Sequence, residues 1–491
     1  MKKLGVLGFL TALPLAVYLS TLLTIVGLDK FHFVLASSRK FATFPDLESQ
    51  LGIGLSYIAL GVIYLVWFFR ATPPAFSRFR EPLKIAALFL VIAYASYPLG
   101  SDVYLYLHSG LMNLADTNPF LVRAAAANTV LLPFVDWGQT STYGPVSQLC
   151  FTIAATTVQI SPIVAVYVFK AICLGLHVLN GFLVWHIVPS QKYVPSESHF
   201  PFDRSKLTLA YLLNPLLLME QVGSAHVDVL VSTSVLVLAG CLLKQHYRSV
   251  MVPLWLGFLS KTIPIIWIPL VGLFLLKQRQ WTAIAISLGF SAGLGGLLWV
   301  TVLPGWEAWG SLVNPGVTGQ YMASIVALAR SSMDWFRLFF PAALSLQEER
   351  FLLVKLTQYL LVGFAAFYAW TALRALRRSP YSATHLLEDI GWVTLVLLLF
   401  ATSWLMPWYA SILLSVAIVI PRSELFGVAT MMFSLSSSAQ YVFQGHQSLR
   451  SLVTIALPGL AMLVGGVLLA PRSSRSSENS SRSIQYRSEQ S

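Results

Sequence analysis

Apolar runs alternate with short polar interruptions along nearly the whole chain. Runs that approach membrane-spanning length fall at about 5–27, 51–69, 83–99, 145–160, 163–187, 207–222, 229–243, 250–276, 281–303, 351–372, 388–405, 407–420, 424–442 and 450–470. A full crossing takes roughly 20 helical residues, so the shorter runs predict tilted, broken or re-entrant segments. The first run follows Met1-Lys2-Lys3, exceeds a signal-peptide core and shows no small-x-small cleavage pattern before Asp29, so it reads as a spanning helix. From about 322 to 350, apolar residues alternate with Arg330, Asp334 and Arg337; this fits an amphipathic helix at the membrane surface or a solvated connecting helix. Beyond Pro471 the chain is rich in Ser and Arg without periodicity, which predicts one integral membrane domain over 1–470 and a disordered tail over 471–491.

Basic residues orient the runs. Lys2 and Lys3, then Arg70, Arg78, Arg80 and Lys84, mark loops held inside, which puts the loop after residue 99 outside. Lys277, Arg279, Arg374, Arg377 and Arg378 mark further inner loops, and the loop 304–321 falls outside. Counting crossings one by one then places 223–228 inside and Lys244, His246 and Arg248 outside, against the same rule. A re-entrant short run, or a broken hairpin at Ser260-Lys261-Thr262 within 250–276, would swap the sides; re-entrant backbone is tolerated only where protein or a water-filled cavity surrounds it.

Composition settles the class. Hydrophobic residues make up 56% of the chain and charged ones 11%, against about 25% charged in soluble proteins. The expected fold is an all-α polytopic integral membrane helix bundle with a folded outer loop carrying short juxtamembrane helices. The net charge of +12 fits inner loops and anionic membrane lipids rather than nucleic acid. Cys150, Cys173 and Cys241 lie inside apolar runs without paired spacing, so neither a disulfide framework nor a zinc site is indicated. No Walker loop or dinucleotide glycine motif occurs.

Candidate chemistry concentrates after the third run, in Tyr97-Pro98-Leu99-Gly100-Ser101-Asp102-Val103-Tyr104-Leu105-Tyr106-Leu107-His108. On a helix Asp102 and Tyr106 share one face, and Tyr104 and His108 a neighbouring one. The chain stays polar through Asn118, Arg123 and Tyr143, a loop longer than a connection needs and so functional or disordered; its aromatics point to a folded one. Ionisable groups inside apolar runs are costly and point to function: Lys170, Glu220, His226, Asp228 and Lys261. Lys170 can simply snorkel, Glu220 can bond a neighbouring helix, and Lys261 can pair with Glu220 or Asp228 or meet a phosphate. His226 and Asp228 follow Gly223-Ser224, where a helix can break, and would converge only on irregular backbone.

Taken in order, Ser101-Asp102-Val103-Tyr104, Asn118-Pro119-Phe120, Tyr143-Gly144-Pro145, Asn214-Pro215-Leu216 and Gly223-Ser224-Ala225-His226-Val227-Asp228 resemble the multi-spanning C-type (GT-C) glycosyltransferases, in particular bacterial mannosyltransferases with a polyprenyl-phosphate sugar donor. The resemblance covers about 85–280, with a weaker echo at Ser403-Trp404-Leu405-Met406-Pro407-Trp408-Tyr409. It implies inverting transfer of a hexose, mannose above all, to a lipid-linked or envelope glycan on the outer face of the cytoplasmic membrane. Asp102 would be the base, with Tyr104, Tyr106, His108, Asn118, Arg123, Tyr143, His226, Asp228 and Lys261 binding substrate. Arg123, Lys261 or Arg330 would meet the phosphate. No cofactor is required on this reading; a divalent metal is possible but no DxD pair indicates one. A transporter or flippase of lipid-linked glycans, using Glu220, Asp228 and Lys261, is the alternative, and a structural membrane partner a third.

Overall fold

The computed structural model describes residues 2–37, 46–189, 203–313, 320–340, 344–443 and 445–468; the tail expected over 471–491 lies outside them. Every regular element is a helix, and only two isolated β-bridges occur among the described residues. The helices are α1 Lys2–Ser37, α2 Leu47–Arg70, α3 Arg80–Ala95, α4 Asp102–Leu114, α5 Pro145–Ala155, α6 Pro162–Ile187, α7 Arg204–Leu213, α8 Pro215–Leu217, α9 Asp228–Leu243, α10 Met251–Phe258, α11 Trp267–Lys277, α12 Trp281–Thr301, α13 Gly305–Val313, α14 Ile325–Phe339, α15 Leu346–Arg377, α16 Ala383–Val396, α17 Ala410–Val419, α18 Glu424–Ala439 and α19 Gln447–Leu468. Seven helical stretches are long and apolar enough to cross a bilayer: Val6–Ser37, Leu47–Arg70, Pro162–Ile187, Trp281–Thr301, Leu346–Arg377, Ala383–Ala401 and Gln447–Gly466. The chain is an integral membrane protein.

Two ends of the bundle can be told apart by what meets there. Asp102, His226, Lys261, Tyr321 and Trp404 gather at one end. Lys277, Arg374, Tyr381 and Asp389 gather at the other.

Two runs behave differently from simple crossings, and together they resolve the conflict in the charge count. The 145–160 run forms α5, whose 11 residues span only about 16 Å. It stays at the Asp102 end: Gly144 N and Val146 N donate to the carbonyls of Ser260 and Leu259, and Ala154 and Ala155 pack with Tyr106, Val166 and Phe169. Gly110 lets α4 lie directly on α5, since a β-carbon there would sit 2.4 Å from the Phe151 carbonyl oxygen. The 250–276 run is a broken hairpin. α10 rises to Ser260-Lys261-Thr262 and α11 returns, the break fixed by Pro264, which has no N–H to continue a helix. With both changes His226 joins Asp102, while Lys244 and Lys277 share the opposite end.

α7 is interrupted the same way. Asn214 ends it, its Oδ1 accepts from Leu217 N at 3.2 Å, and Pro215 starts the next turn. A wide π-turn, Leu218–Gly223, follows and ends where Ala225 takes φ +58° before α9. In the second half, α14 carries exposed Trp335, Phe336, Leu338 and Phe339, as an amphipathic surface helix does. It is shorter than the sequence pattern suggests, because a capping box of Ser345 and Glu348 starts α15.

Candidate functional site

Asp102 opens α4, where the helix dipole favours a negative charge. Its Oδ2 lies 3.7 Å from His226 Nδ1, and His226 Nε2 lies 3.3 Å from Glu220 Oε2. The imidazole stacks on Trp408 with ring centroids 3.6 Å apart. Glu220, buried in the π-turn, uses its other oxygen to accept from Tyr57 Oη at 3.1 Å and Tyr441 Oη at 3.0 Å. The extra residue of that turn matters: His226 N donates to the Glu220 carbonyl at 2.8 Å, folding the strained Ala225 corner so that both side chains point one way. Neither Glu220 Oε2 nor His226 Nδ1 has a hydrogen-bond partner, although both are buried.

A second pair flanks the first. Lys261 Nζ donates to both oxygens of Asp228, at 2.9 and 2.8 Å, and lies 4.3 Å from the centre of the Tyr409 ring. A backbone bridge ties Tyr143 to Lys261, which is why Gly144 is a glycine: a β-carbon would sit 2.3 Å from the Leu259 carbonyl oxygen. Tyr143 and Tyr106 meet edge to face with their hydroxyls 3.4 Å apart, and Tyr106 stacks on Phe151.

Asp102 is the most open of these acids, with 33% of its side chain exposed. Its carboxyl nevertheless sits among protein atoms, and loss of water pushes it above the ordinary carboxylate range. His226 and then Lys261 draw it down, while Asp228 and Glu220 push it up. The arrangement offers one accessible carboxylate backed by an imidazole and a buried acid, with aromatic walls on either side.

Of the residues singled out in the sequence, Asp102, Tyr106, Tyr143, His226, Asp228 and Lys261 come together. Tyr104, His108, Asn118 and Arg123 do not. Tyr104 is buried between Phe31 and Phe134, its hydroxyl 2.7 Å from that of Tyr97. His108 is buried with Nδ1 2.7 Å from Thr129 Oγ1 and Nε2 3.0 Å from the Ala124 carbonyl, so it holds the loop. Asn118 Nδ2 donates to the Val302 carbonyl at 3.0 Å, fastening the loop to the end of α12. Arg123 is exposed ahead of a 3-10 turn. Lys170 does not snorkel: it is fully buried and donates to the carbonyls of Ala93, Ser96 and Gly223, which tie the end of α3 to the π-turn. Arg330 pairs with Glu349 at 3.6 Å.

Trp408 and Tyr409 belong to the weak second-half echo, and their side chains complete the cluster. Met322 N and Leu405 N bridge 322 to 403–405, which positions that segment. Tyr57 and Tyr441 carried no signal in the sequence. Among the described residues no group of three or more His, Cys, Asp or Glu is arranged to hold a metal ion.

A family model described as alpha-(1->6)-mannopyranosyltransferase, N-terminal domain, matches residues 7–277. That span includes Asp102, Tyr143, Glu220, His226, Asp228 and Lys261, and is more than half of the chain. No curated protein matches the chain.

Proposed function

Because the chain belongs to the alpha-(1->6)-mannopyranosyltransferase family and is a mannosyltransferase, we propose that it moves mannose from a polyprenyl-phosphate donor to a glycan or glycolipid acceptor at the outer face of the cytoplasmic membrane. The observation that carries this reading is the line Asp102–His226–Glu220, with the outermost acid open and the inner two groups buried. An α-(1→6) linkage makes the acceptor group a primary hydroxyl. Asp102 takes its proton as the hydroxyl oxygen attacks the anomeric carbon; the bond from that carbon to the phosphate oxygen breaks, and its electron pair leaves with the phosphate. His226 holds Asp102, and Glu220 holds His226. Tyr143 and Tyr409, both half-buried, supply the apolar surface against which a sugar ring packs, backed by the buried Tyr106 and Trp408.

Sidedness rests on charge. Arg70, Arg78, Arg80, Lys84, Lys244, Lys277, Arg374 and Arg378 border helix ends remote from Asp102, and basic loops stay inside. Glu220, Asp228 and Lys261, which suggested a transporter, sit beside Asp102 rather than in a separate midplane site.

The test offers membranes holding the wild type either polyprenyl-phosphate mannose or nucleotide-linked mannose, each labelled in the sugar. Label entering glycan or glycolipid from the lipid donor alone supports the reading. Transfer from the nucleotide sugar alone would end it.

A further inference from the structure

The transfer reaction needs a cation beside the departing phosphate, and the cations the sequence suggests for that task are engaged or remote. Lys261 is held by Asp228, Arg330 by Glu349, and Arg123 is exposed on the loop. Arg450, in the first turn of α19, differs from all three. It is 7% exposed, and its Nε and Nη2 both donate to one neutral oxygen, Gln440 Oε1, at 3.2 and 3.0 Å. No carboxylate pairs with it among the described residues.

Its surroundings are rich in unused donors. Gln440 is 2% exposed, and its Nε2 is buried without an acceptor. The buried hydroxyls of Ser437, on the helix that Gln440 ends, and Ser451, next to Arg450, also lack partners. A buried guanidinium with no carboxylate partner, held by an amide whose Nε2 has no acceptor, is completed by an anion. The planar fork of arginine suits phosphate oxygens. This place also adjoins the cluster: Tyr441 follows Gln440, feels the Arg450 charge, and donates to Glu220, which faces His226 and Asp102.

We infer that Arg450 and Gln440 form a phosphate-binding site where α18 ends and α19 begins, which holds the phosphate of the lipid donor and keeps the polyprenyl phosphate after transfer. This inference rests on the lipid-donor reading above. The ligand is a phosphate ester anion, and a bulk phospholipid headgroup shares that chemistry.

Two variants separate this role from a simple tie between α18 and α19. Arg450→Gln removes the charge. Gln440→Glu keeps the tie and strengthens it, but supplies the missing carboxylate and so quenches the site. Transfer from polyprenyl-phosphate mannose, inhibition by polyprenyl phosphate, inhibition by phosphatidylglycerol, and thermal unfolding are measured for each.

The expected result is a rise of roughly tenfold or more in donor KM and in the polyprenyl phosphate inhibition constant for both variants, the loss of one charge-assisted hydrogen bond. Gln440→Glu would unfold at or above the wild-type temperature. Arg450→Lys would recover part of the loss. Wild-type donor KM in Gln440→Glu would overturn the inference and leave Arg450 a structural tie. A change confined to phosphatidylglycerol would overturn it in favour of a bulk-lipid contact. If the wild type fails to use the donor at all, the lipid-donor reading falls first and takes this inference with it.

Discussion

The two ends of the bundle treat buried charge in opposite ways. Away from Asp102, charge closes joints: Lys277 Nζ donates to the carbonyls of Ala375, Leu376 and Arg378, and Asp389 accepts from both Arg374 and Tyr381. At the Asp102 end, Glu220 Oε2, His226 Nδ1 and Gln440 Nε2 are buried without a hydrogen bond, and the first two are met only by the looser ion-pair contacts of the Asp102–His226–Glu220 line. An unmade buried hydrogen bond costs about 1–3 kcal/mol, so the Asp102–His226–Glu220 line gives up stability that the Lys277 and Asp389 joints keep. Unsatisfied polar groups in a native structure call for an explanation, and a functional role is one of them.

Lys170 closes a joint in the same way close to the Asp102 end, and its loss should have the largest effect on stability. Lys170→Ala leaves the carbonyls of Ser96 and Gly223 without their donor, while that of Ala93 keeps Ser96 Oγ, an expected loss of about 2–6 kcal/mol at about 1–3 kcal/mol for each buried group left unmade. Thermal unfolding checks this; a variant as stable as the wild type would show that the tie is dispensable. At the far end, Asp389→Asn weakens the hold on Arg374 and Tyr381, with an expected loss of about 1–2 kcal/mol and an unchanged kcat in the folded protein. A fall in kcat would break the division between the two ends.

Glu220→Gln reverses that pattern. It should lower kcat by roughly 10–100-fold, as loss of supporting contacts to a functional group does, while unfolding shifts little. Equal losses in stability and rate would make Glu220 a structural residue.

The smallest effect is on pH dependence. Desolvation raises the Asp102 carboxyl above its ordinary 3.8, and the base must be ionised. The acid limb of kcat/KM should therefore lie above the ordinary carboxylate range and move when His226 is replaced. The same raised value means the folded protein holds this proton more tightly than the unfolded chain. Asp102 thus stabilises the fold below its unfolded pKa, and that contribution is lost as pH rises through the folded value. An acid limb at the ordinary value would argue against Asp102 as the base.

Much of the candidate cluster was legible because polar residues interrupting apolar runs have few reasons to be there. Asp102, His226, Asp228 and Lys261 all violate the hydrophobic pattern, and they form two neighbouring pairs. Tyr104, His108 and Asn118 violate it too, yet they hold the loop, since a folded polar loop needs internal partners as much as a site does. Tyr57 and Tyr441 were invisible for the opposite reason. Aromatic residues in or beside a spanning helix look like ordinary packing, and only tertiary contact gives their polar atoms a task. Hydropathy found the apolar runs but not the direction of each: α5 and the α10–α11 hairpin have the composition of crossings, and their course is set by Gly110, Gly144 and Pro264.

The most direct test compares wild type with Asp102→Asn in membranes supplied with polyprenyl-phosphate mannose labelled in the sugar, following both transfer rate and thermal unfolding. Removal of a general base lowers the rate by about 10²–10⁴-fold, and because burial disfavours the Asp102 charge, the variant should unfold at the wild-type temperature or above it. Transfer at the wild-type rate by a folded Asp102→Asn protein would contradict the account.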